Sequence, residues 1–357
     1  MRTERFRVLA INPGATSTKF AVYENDQLLV KRNMQHSIED LSGFDRVFDQ
    51  YAYRLELVIK ELSQGKIELT SLSAVVGRGG LLRPLAGGTY AINEQMLADL
   101  KAAERGEHAS NLGAVMAYNL AKQLKIPSFI VDPVSVDEMD DVARISGLPD
   151  IERVSLSHAL NMKAVAHKAA KEIGRKYHEV NFVIAHLGTG VSVAPHKKGR
   201  MIDVNNPMEE GPFSPDRCGG LPANLLMRLC YSGKYTFHEM KEKLISKGGF
   251  YAYLGTKDLR EVEEMAGNGN KQADLLLKAL AYQVSKEIGA MAAVLDGDVD
   301  RIILTGGMAY SKRIVDDILK KVNFIAPVMV FPGEEELDSL AQGALRVLNG
   351  EEDARVY

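Results

Sequence analysis

Two loops of small residues, NPGATS at 12–17 and HLGTG at 186–190, each close an apolar strand and open straight onto another strand. RVLAI leads into the first and TKFAVYE leads out; NFVIAH and VSVAP do the same for the second. The chain continues alike after both. A third short strand follows (QLLVKR, then MIDV), then a helical stretch, then a further strand, AVVG or RIILT, that runs into glycines. This pattern predicts an internal duplication, two copies of a βββαβαβα unit. Aligning the copies sets Asn12 opposite His186 and Gly14 opposite Gly188. The fold class expected is therefore α/β, two similar domains with a cleft between them. The expected division is residues 1–150 with 330–357 for one domain and 151–329 for the other. Helices are expected over about 44–62, 112–124, 161–177, 273–295 and 337–348, where apolar residues recur at helical spacing.

A chain of 357 residues suits two cores rather than one. Hydrophobic residues at 46% and charged residues at 25% are an ordinary globular balance, and a formal net charge of -3 carries no basic excess. Nucleic acid and membrane surfaces are accordingly not expected as partners. Two cysteines, Cys218 and Cys230, cannot build a disulfide framework, which points to a reducing compartment. The first residues hold too short an apolar run for a signal peptide, and no stretch approaches the ~20 apolar residues that span a bilayer. A cytoplasmic protein is the expectation.

In the first loop, Gly14 lets the backbone approach an anion, Thr16 and Ser17 bring hydroxyls and amides, and Lys19 brings a charge that strand alternation aims inward. An ordinary β-turn with surface hydroxyls reads the same residues equally well. In the second loop, Gly188, Thr189 and Gly190 sit where a strand turns back, and His186 ends an otherwise apolar strand. A core histidine with its hydrogen bonds met is the plain alternative there. Gly306 and Gly307, after the strand RIILT, leave room for a flat ring or a ribose, or simply make a tight strand-to-helix turn. Arg78 in GRGG and Arg217 in PDRCGG are flanked by glycines that offer little side-chain cover. Two such guanidinium groups fit a carboxylate meeting a phosphoryl group. His108 in GEHASN and His158 in LSHALN lie near other turns. Asp132 ends the strand SFIVD. Glu335 lies in FPGEEELDSL, where it reads either as a magnesium-site carboxylate or as the acidic first turn of the last helix.

Taken in order, these segments resemble the acetokinase family, the acetate, propionate and butyrate kinases. INPGATSTKF is similar to the family's INAGSSSLKF, AHLGTGVS to CHLGNGSS, PDRCGG to GTRCG, SHALNM to the FHGTSH region, and TKDLREVE to S-x-D-x-R-D. The resemblance covers essentially the whole chain. It implies a pair of actin- and hexokinase-like domains, transfer of the γ-phosphoryl group of ATP to a short acid's carboxylate, magnesium with the nucleotide, and a homodimer or larger assembly. It also implies roles. Asn12 and Glu335 would serve the magnesium site, with Gly14, Thr16, Ser17 and Lys19 on the phosphate loop. Arg78 and Arg217 would bind the carboxylate and the transferring group. His186 would steady that group, His158 would stabilise the transition state, and Asp132 would lie on the substrate side. Gly188, Thr189 and Gly190 would hold the β- and γ-phosphates, and Asp258, Arg260, Gly306 and Gly307 the adenosine.

The departures from the family pattern bear on the acid. Gly80 follows Arg78 and Gly79 where acetate kinases read HRVVHGG, and Ser157 stands before His158 where they carry Phe. Both changes remove bulk near His108, at the place expected for acetate's methyl group. A longer or branched acid such as butyrate is therefore expected, each methylene there being worth roughly 1–3 kcal/mol. An acetate or propionate kinase with a widened pocket is the alternative. A non-kinase ATPase of the same superfold is a third reading.

Overall fold

The structure is a computed structural model that describes residues 5–357. The chain divides into two compact units, Met1–Val136 with Glu335–Tyr357, and Asp137–Glu334. Residues 137–150 and 330–334, expected with the first domain, thus fall in the second unit.

The first unit is built on a seven-stranded sheet. Its strands are β1 (Arg7–Pro13), β2 (Ser17–Glu24), β3 (Gln27–Gln35), β4 (Ala74–Arg78), β5 (Thr89–Ala91), β6 (Ser128–Val131) and, from the end of the chain, β12 (Arg355–Val356). They lie in the order β12-β5-β6-β4-β1-β2-β3. β1, β2 and β3 form an antiparallel meander, while β4 and β6 run parallel to β1. The second unit carries β7 (Asn181–Leu187), β8 (Val191–Lys197), β9 (Arg200–Met201), β10 (Arg301–Gly306) and β11 (Val328–Pro332), in the order β11-β10-β7-β8-β9. Here too a meander of three strands is followed by two that run parallel to its first member. The order β6-β4-β1-β2-β3 therefore repeats as β11-β10-β7-β8-β9, the topology of a duplicated unit.

Helices fill the same intervals in both copies. Tyr51–Gln64 and Lys271–Val294 lie between the third and fourth strands, Asn111–Leu124 and Lys312–Val322 between the fourth and fifth. Leu9, Ile11, Phe20 and Val22 on one side of the first sheet meet Leu55, Val58 and Leu62 of the helix Tyr51–Gln64. In the second unit, Val183, Ala185 and Leu304 pack with Leu277, Leu280, Val284 and Ile288. Each such side chain contributes about 1.5–3 kcal/mol when fully buried. β7 is buried along its whole length, as a central strand covered on both faces must be. The helix closing each copy goes elsewhere. Ala159–Glu172 packs on β7 and β10, and Glu336–Leu348 packs on β1 and β4.

Between β9 and the helix Lys271–Val294 lie four short helices, Ala223–Cys230, Phe237–Ile245, Gly249–Leu254 and Leu259–Gly267, none of them expected from the duplicated pattern. β5 and β12 are likewise additions, extending the first sheet beyond β6.

Candidate active site

In the first unit the strand register gathers the polar ends. Asn12 is directly opposite Lys19, so both project from one face of the sheet. Arg78 ends β4, one place beyond the Ile11–Gly77 pair. Both groups meet one carboxylate. Asn12 Nδ2 donates to Glu336 Oε2 at 2.5 Å, and Arg78 Nη1 pairs with Glu336 Oε1. Glu336 opens the helix Glu336–Leu348, where the dipole favours a negative charge. Glu335 was expected beside Asn12, but its carboxylate lies 3.0 Å from Lys31 Nζ, with both side chains about half exposed or more. The reason is backbone geometry: Glu335 caps the helix with φ -95° and ψ 62°, and successive residues at a helix start do not share a face. Lys19, expected to aim inward, is exposed, and so are Ala15 and Thr16 at the tip of the loop.

Arg78 is partly buried, and its Nε makes no hydrogen bond. His108 lies within its electrostatic reach: burial, and then the Arg78 charge, hold the imidazole below its usual range. His108 Nδ1 accepts the Ser110 amide N–H at 3.2 Å and faces Ser110 Oγ at 2.8 Å. The imidazole is therefore neutral, with its proton on Nε2. Asp132 is 4% exposed and has a left-handed backbone, φ 37°. Its Oδ1 accepts the Gly88 N–H at 2.7 Å while its own N–H donates to the Gly88 carbonyl.

Gly80 corrects the sequence reading. A Cβ there would lie 2.2 Å from Asn111 Oδ1 and 2.6 Å from Asn111 Cα. The missing side chain makes room for Asn111, which caps the Leu81 N–H at 2.9 Å, and not for an acyl tail. In the second unit Ser157 is also buried, with its hydroxyl against Met201 Sδ at 3.8 Å. Gly80 does not open the volume expected of it.

The second loop is densely furnished. His186 is fully buried, and its Nδ1 lies 2.8 Å from Asn161 Oδ1, which also accepts from Thr305 Oγ1 at 3.2 Å. With Asn161 Oδ1 as acceptor, Nδ1 carries a proton and Nε2 faces Glu334 Oε1 at 2.9 Å. His158 stacks on His186, ring centroids 3.9 Å apart and planes 12° off parallel. Its Nδ1 lies 3.0 Å from Ser192 Oγ, and Ser192 is the register partner of His186.

Arg217 lies across the loop. A Cβ on Gly190 would come within 2.1 Å of Arg217 Nη1, and one on Gly188 within 2.7 Å of His186 Nε2. At both positions the protein's own side chains occupy the space that a Cβ would take, so an added methyl would displace them. Ser214 ties the parts together, its hydroxyl bonding the Thr189 carbonyl and accepting the Arg217 N–H at 3.2 Å. Thr189 itself is exposed. The Arg217 guanidinium makes one long bond, Nη1 to the Pro207 carbonyl at 3.5 Å, and Nε makes none. No carboxylate pairs with it among the described residues; neighbouring Asp216 is held by Lys257 at 3.0 Å. Burial lowers the Arg217 pKa, so the charge is held at a desolvation cost that an anion would relieve.

The residues expected around adenosine stand apart in their chemistry. Asp258 caps the helix Leu259–Gly267 and holds Arg260, Nη2 to Oδ2 at 2.5 Å, so its carboxyl is pulled down to about 2. Gly306, at φ 89°, lets its backbone pass Leu187, where a Cβ would fall 2.5 Å from the carbonyl oxygen. Open space lies beside Gly307. Glu336, Asn161, Ser192, Ser214 and Glu334 were not singled out from sequence. Of these, Glu334 and Glu336 carried a signal, as members of the glutamate run.

The acetokinase family model matches residues 153–339. Butyrate kinase 2 of Clostridium acetobutylicum is 51% identical over 354 residues, which cover 99% of each chain. A probable butyrate kinase of Clostridium botulinum is 48% identical over 353 residues, again 99% of each. Among solved structures, Porphyromonas gingivalis acetate kinase superposes with a TM-score of 0.80 at 20% identity, covering 96% of this chain and 100% of that one. A hexokinase from Thermus thermophilus does so with a TM-score of 0.51 at 15% identity, covering 96% and 100%. These last two likenesses concern the fold, which is the duplicated actin/hexokinase-like one expected. The chain belongs to the acetokinase family.

Proposed function

We infer that the protein is a butyrate kinase, reversibly transferring the γ-phosphoryl group of ATP to butyrate to give butyryl phosphate and ADP. Full-length identity near one half to curated butyrate kinases supports this activity. The structural observation that carries the chemistry is Arg217, a half-buried cation without a carboxylate partner, laid on a glycine loop beside His186.

The reaction is in-line displacement. A carboxylate oxygen of butyrate forms a bond to the γ-phosphorus as the bond from that phosphorus to ADP's bridging oxygen breaks, leaving its electron pair on ADP. The carboxylate is already a nucleophile, so no general base is needed, and the protein's contribution is positioning and charge neutralisation. Arg78 holds the carboxylate, beside the neutral imidazole of His108 and near Asp132. Arg217 and His186 meet the equatorial oxygens of the transferring group, with His158 stacked behind. Asn12, Thr16, Ser17 and Lys19 bind the nucleotide phosphates, with Gly14 shaping their loop, and Gly188, Thr189 and Gly190 bind them as well. Asp258, Arg260, Gly306 and Gly307 take the adenosine.

Magnesium would be held by the Asn12 amide oxygen and by Glu336 or Glu335. These are hard oxygen donors, and one or two carboxylates are what that ion takes when phosphates and water complete its shell. Among the described residues no cluster of three metal-binding side chains competes for the ion. Bound there, it would neutralise charge on the β- and γ-phosphates.

Among the described residues no helix is long and apolar enough to cross a membrane. A cytoplasmic enzyme, where ATP is at hand, fits that and the two free cysteines. Exposed apolar side chains on and near the helix Ala223–Cys230, among them Leu225, Met227 and Tyr231, support a homodimer or larger assembly.

Butyrate rests on the identity to its curated relatives, since Asn111 occupies the space at Gly80 once expected to help distinguish it from acetate. Trapping the acyl phosphate with acetate, propionate, butyrate and isobutyrate in parallel decides the matter. The highest kcat/KM is expected for butyrate or isobutyrate; preference for acetate or propionate would overturn the assignment.

A further inference from the structure

Arg54 is fully buried, the largest side chain in the core of the first unit. It sits in the helix Tyr51–Gln64 and makes no ion pair with any carboxylate among the described residues. Nη1 donates to the carbonyls of Gly14 at 2.8 Å and Ser17 at 3.0 Å and to Thr18 Oγ1 at 3.2 Å. Nη2 donates to the Ala15 carbonyl at 3.0 Å and to Gln50 Oε1 at 2.8 Å, and Nε reaches the same Gln50 oxygen at 3.1 Å. All five N–H groups of the guanidinium are thus satisfied by neutral oxygens, and three of those are carbonyls of one loop.

The Thr16 carbonyl is held separately, by the His36 N–H at 2.9 Å. Thr18 Oγ1, which accepts from Arg54, also lies 2.8 Å from His36 Nε2. The carbonyls of Gly14, Ala15 and Ser17 are drawn to Arg54. The peptide bonds are trans, so each carbonyl directs the following N–H the opposite way. The N–H groups of Ala15 and Thr16 consequently point away from Arg54. Neither makes a hydrogen bond among the described residues, and both residues are exposed. Successive free amides of this kind make an anion-binding concavity.

A buried charge without a counter-ion is costly, and an apolar residue or a neighbouring carboxylate would remove that cost. Packing alone gives no reason for an arginine here. We propose that Arg54 is a positioning residue: by fixing the carbonyls of Gly14, Ala15 and Ser17 it aims the Ala15 and Thr16 amides at the phosphates of the nucleotide. This deepens the kinase reading and rests on it.

The test uses the full-length protein, with folding followed by circular dichroism and thermal melting. Arg54→Lys keeps the charge and loses the fork that reaches three carbonyls. Gln50→Ala leaves Arg54 but frees it from its helix neighbour. Calorimetry with MgADP and MgATP measures nucleotide binding directly, and steady-state rates give KM for ATP and for butyrate separately. In folded Arg54→Lys, nucleotide affinity is expected to fall about tenfold or more while KM for butyrate stays within about twofold, the fork's hydrogen bonds being the difference. Gln50→Ala should fall in the same direction by about threefold. A purely structural role would lower the melting temperature with nucleotide affinity unchanged, and that result would overturn the proposal. So would a parallel rise in both KM values. Should Arg54→Lys not fold, Gln50→Ala decides alone, and unchanged affinity there sinks the idea. If the wild-type protein binds MgADP but makes no acyl phosphate, the butyrate reading fails while the binding comparison still stands.

Discussion

The two glycine loops occupy the same place in the two copies of one topology, yet they are held in opposite ways. The first, between β1 and β2, is gripped from the core side. Arg54 and His36 take its carbonyls, and its tip residues Ala15 and Thr16 stay exposed. The second, between β7 and β8, is overlaid by side chains. Arg217 lies on Gly190, His186 lies under Gly188, and Ser214 takes the Thr189 carbonyl. The two copies of the unit thus differ in what packs on each loop. The first presents amides; the second carries a guanidinium and an imidazole pair. On the reading proposed above, the first would bind an anion at rest and the second would meet charge as it spreads.

The sharpest test of that division removes the guanidinium from the second loop. Arg217→Ala is expected to lower kcat by roughly 10²–10³-fold, the usual cost of losing one donor to developing charge. MgADP binding, measured by calorimetry, should change little, because the first loop's amides remain. Near-wild-type turnover would erase the distinction between the loops. So would a loss of nucleotide binding as large as the loss of turnover.

Gly190→Ala probes the same loop without touching Arg217. The added methyl would fall 2.1 Å from Nη1, the far end of a flexible side chain. Arg217 can therefore swing away while the fold holds. Misplacing a catalytic group by about an ångström costs up to roughly 10²-fold, so kcat should drop by less than in Arg217→Ala, with an unchanged melting temperature. A double variant checks the cause: adding Gly190→Ala to Arg217→Ala should cost almost nothing more. An additive loss would mean that Gly190 acts on something other than Arg217.

How much of this contrast was legible beforehand follows from where the information lies. The duplication was readable because strand alternation and the two loops recur in order. Asn12, Arg78, His186 and Arg217 were singled out because they sit on or beside glycine turns. The helices between Ala223 and Gly267 were not, because they interrupt the repeat and have no counterpart in the first copy. Arg54 was invisible for a different reason. It lies three residues after Tyr51 and four before Val58, on the apolar face of an amphipathic helix, and only the packed loop shows what a guanidinium meets there. Glu336 was one of three adjacent glutamates, and which of them meets Asn12 depends on where the helix begins. Gly80 misled because an absent side chain was taken for empty space. Asn111 lies about thirty residues on, and sequence spacing does not reveal that it fills the place.

The smallest expected effect is also the one that isolates the first loop. A Cβ added to Gly14 would meet only Ser17, Oγ at 3.3 Å and the carbonyl oxygen at 3.6 Å, and Gly14 is not among the glycines with a left-handed backbone. The hydroxyl can rotate away. Gly14→Ala should therefore be tolerated where Gly190→Ala is not. Replacing a glycine in a conformation that alanine can adopt stabilises a protein by about 0.4–1 kcal/mol, through the unfolded chain. The Arg54 and His36 bonds to the loop are made by carbonyls and are left intact, so nucleotide affinity should stay within about twofold of wild type, since no hydrogen bond is lost. A melting curve and a calorimetric titration with MgADP suffice to check it. A large loss of affinity with the fold retained would mean that this glycine, like those of the second loop, keeps space clear for something that must lie against it. The two loops would then be alike in the respect that most separates them here.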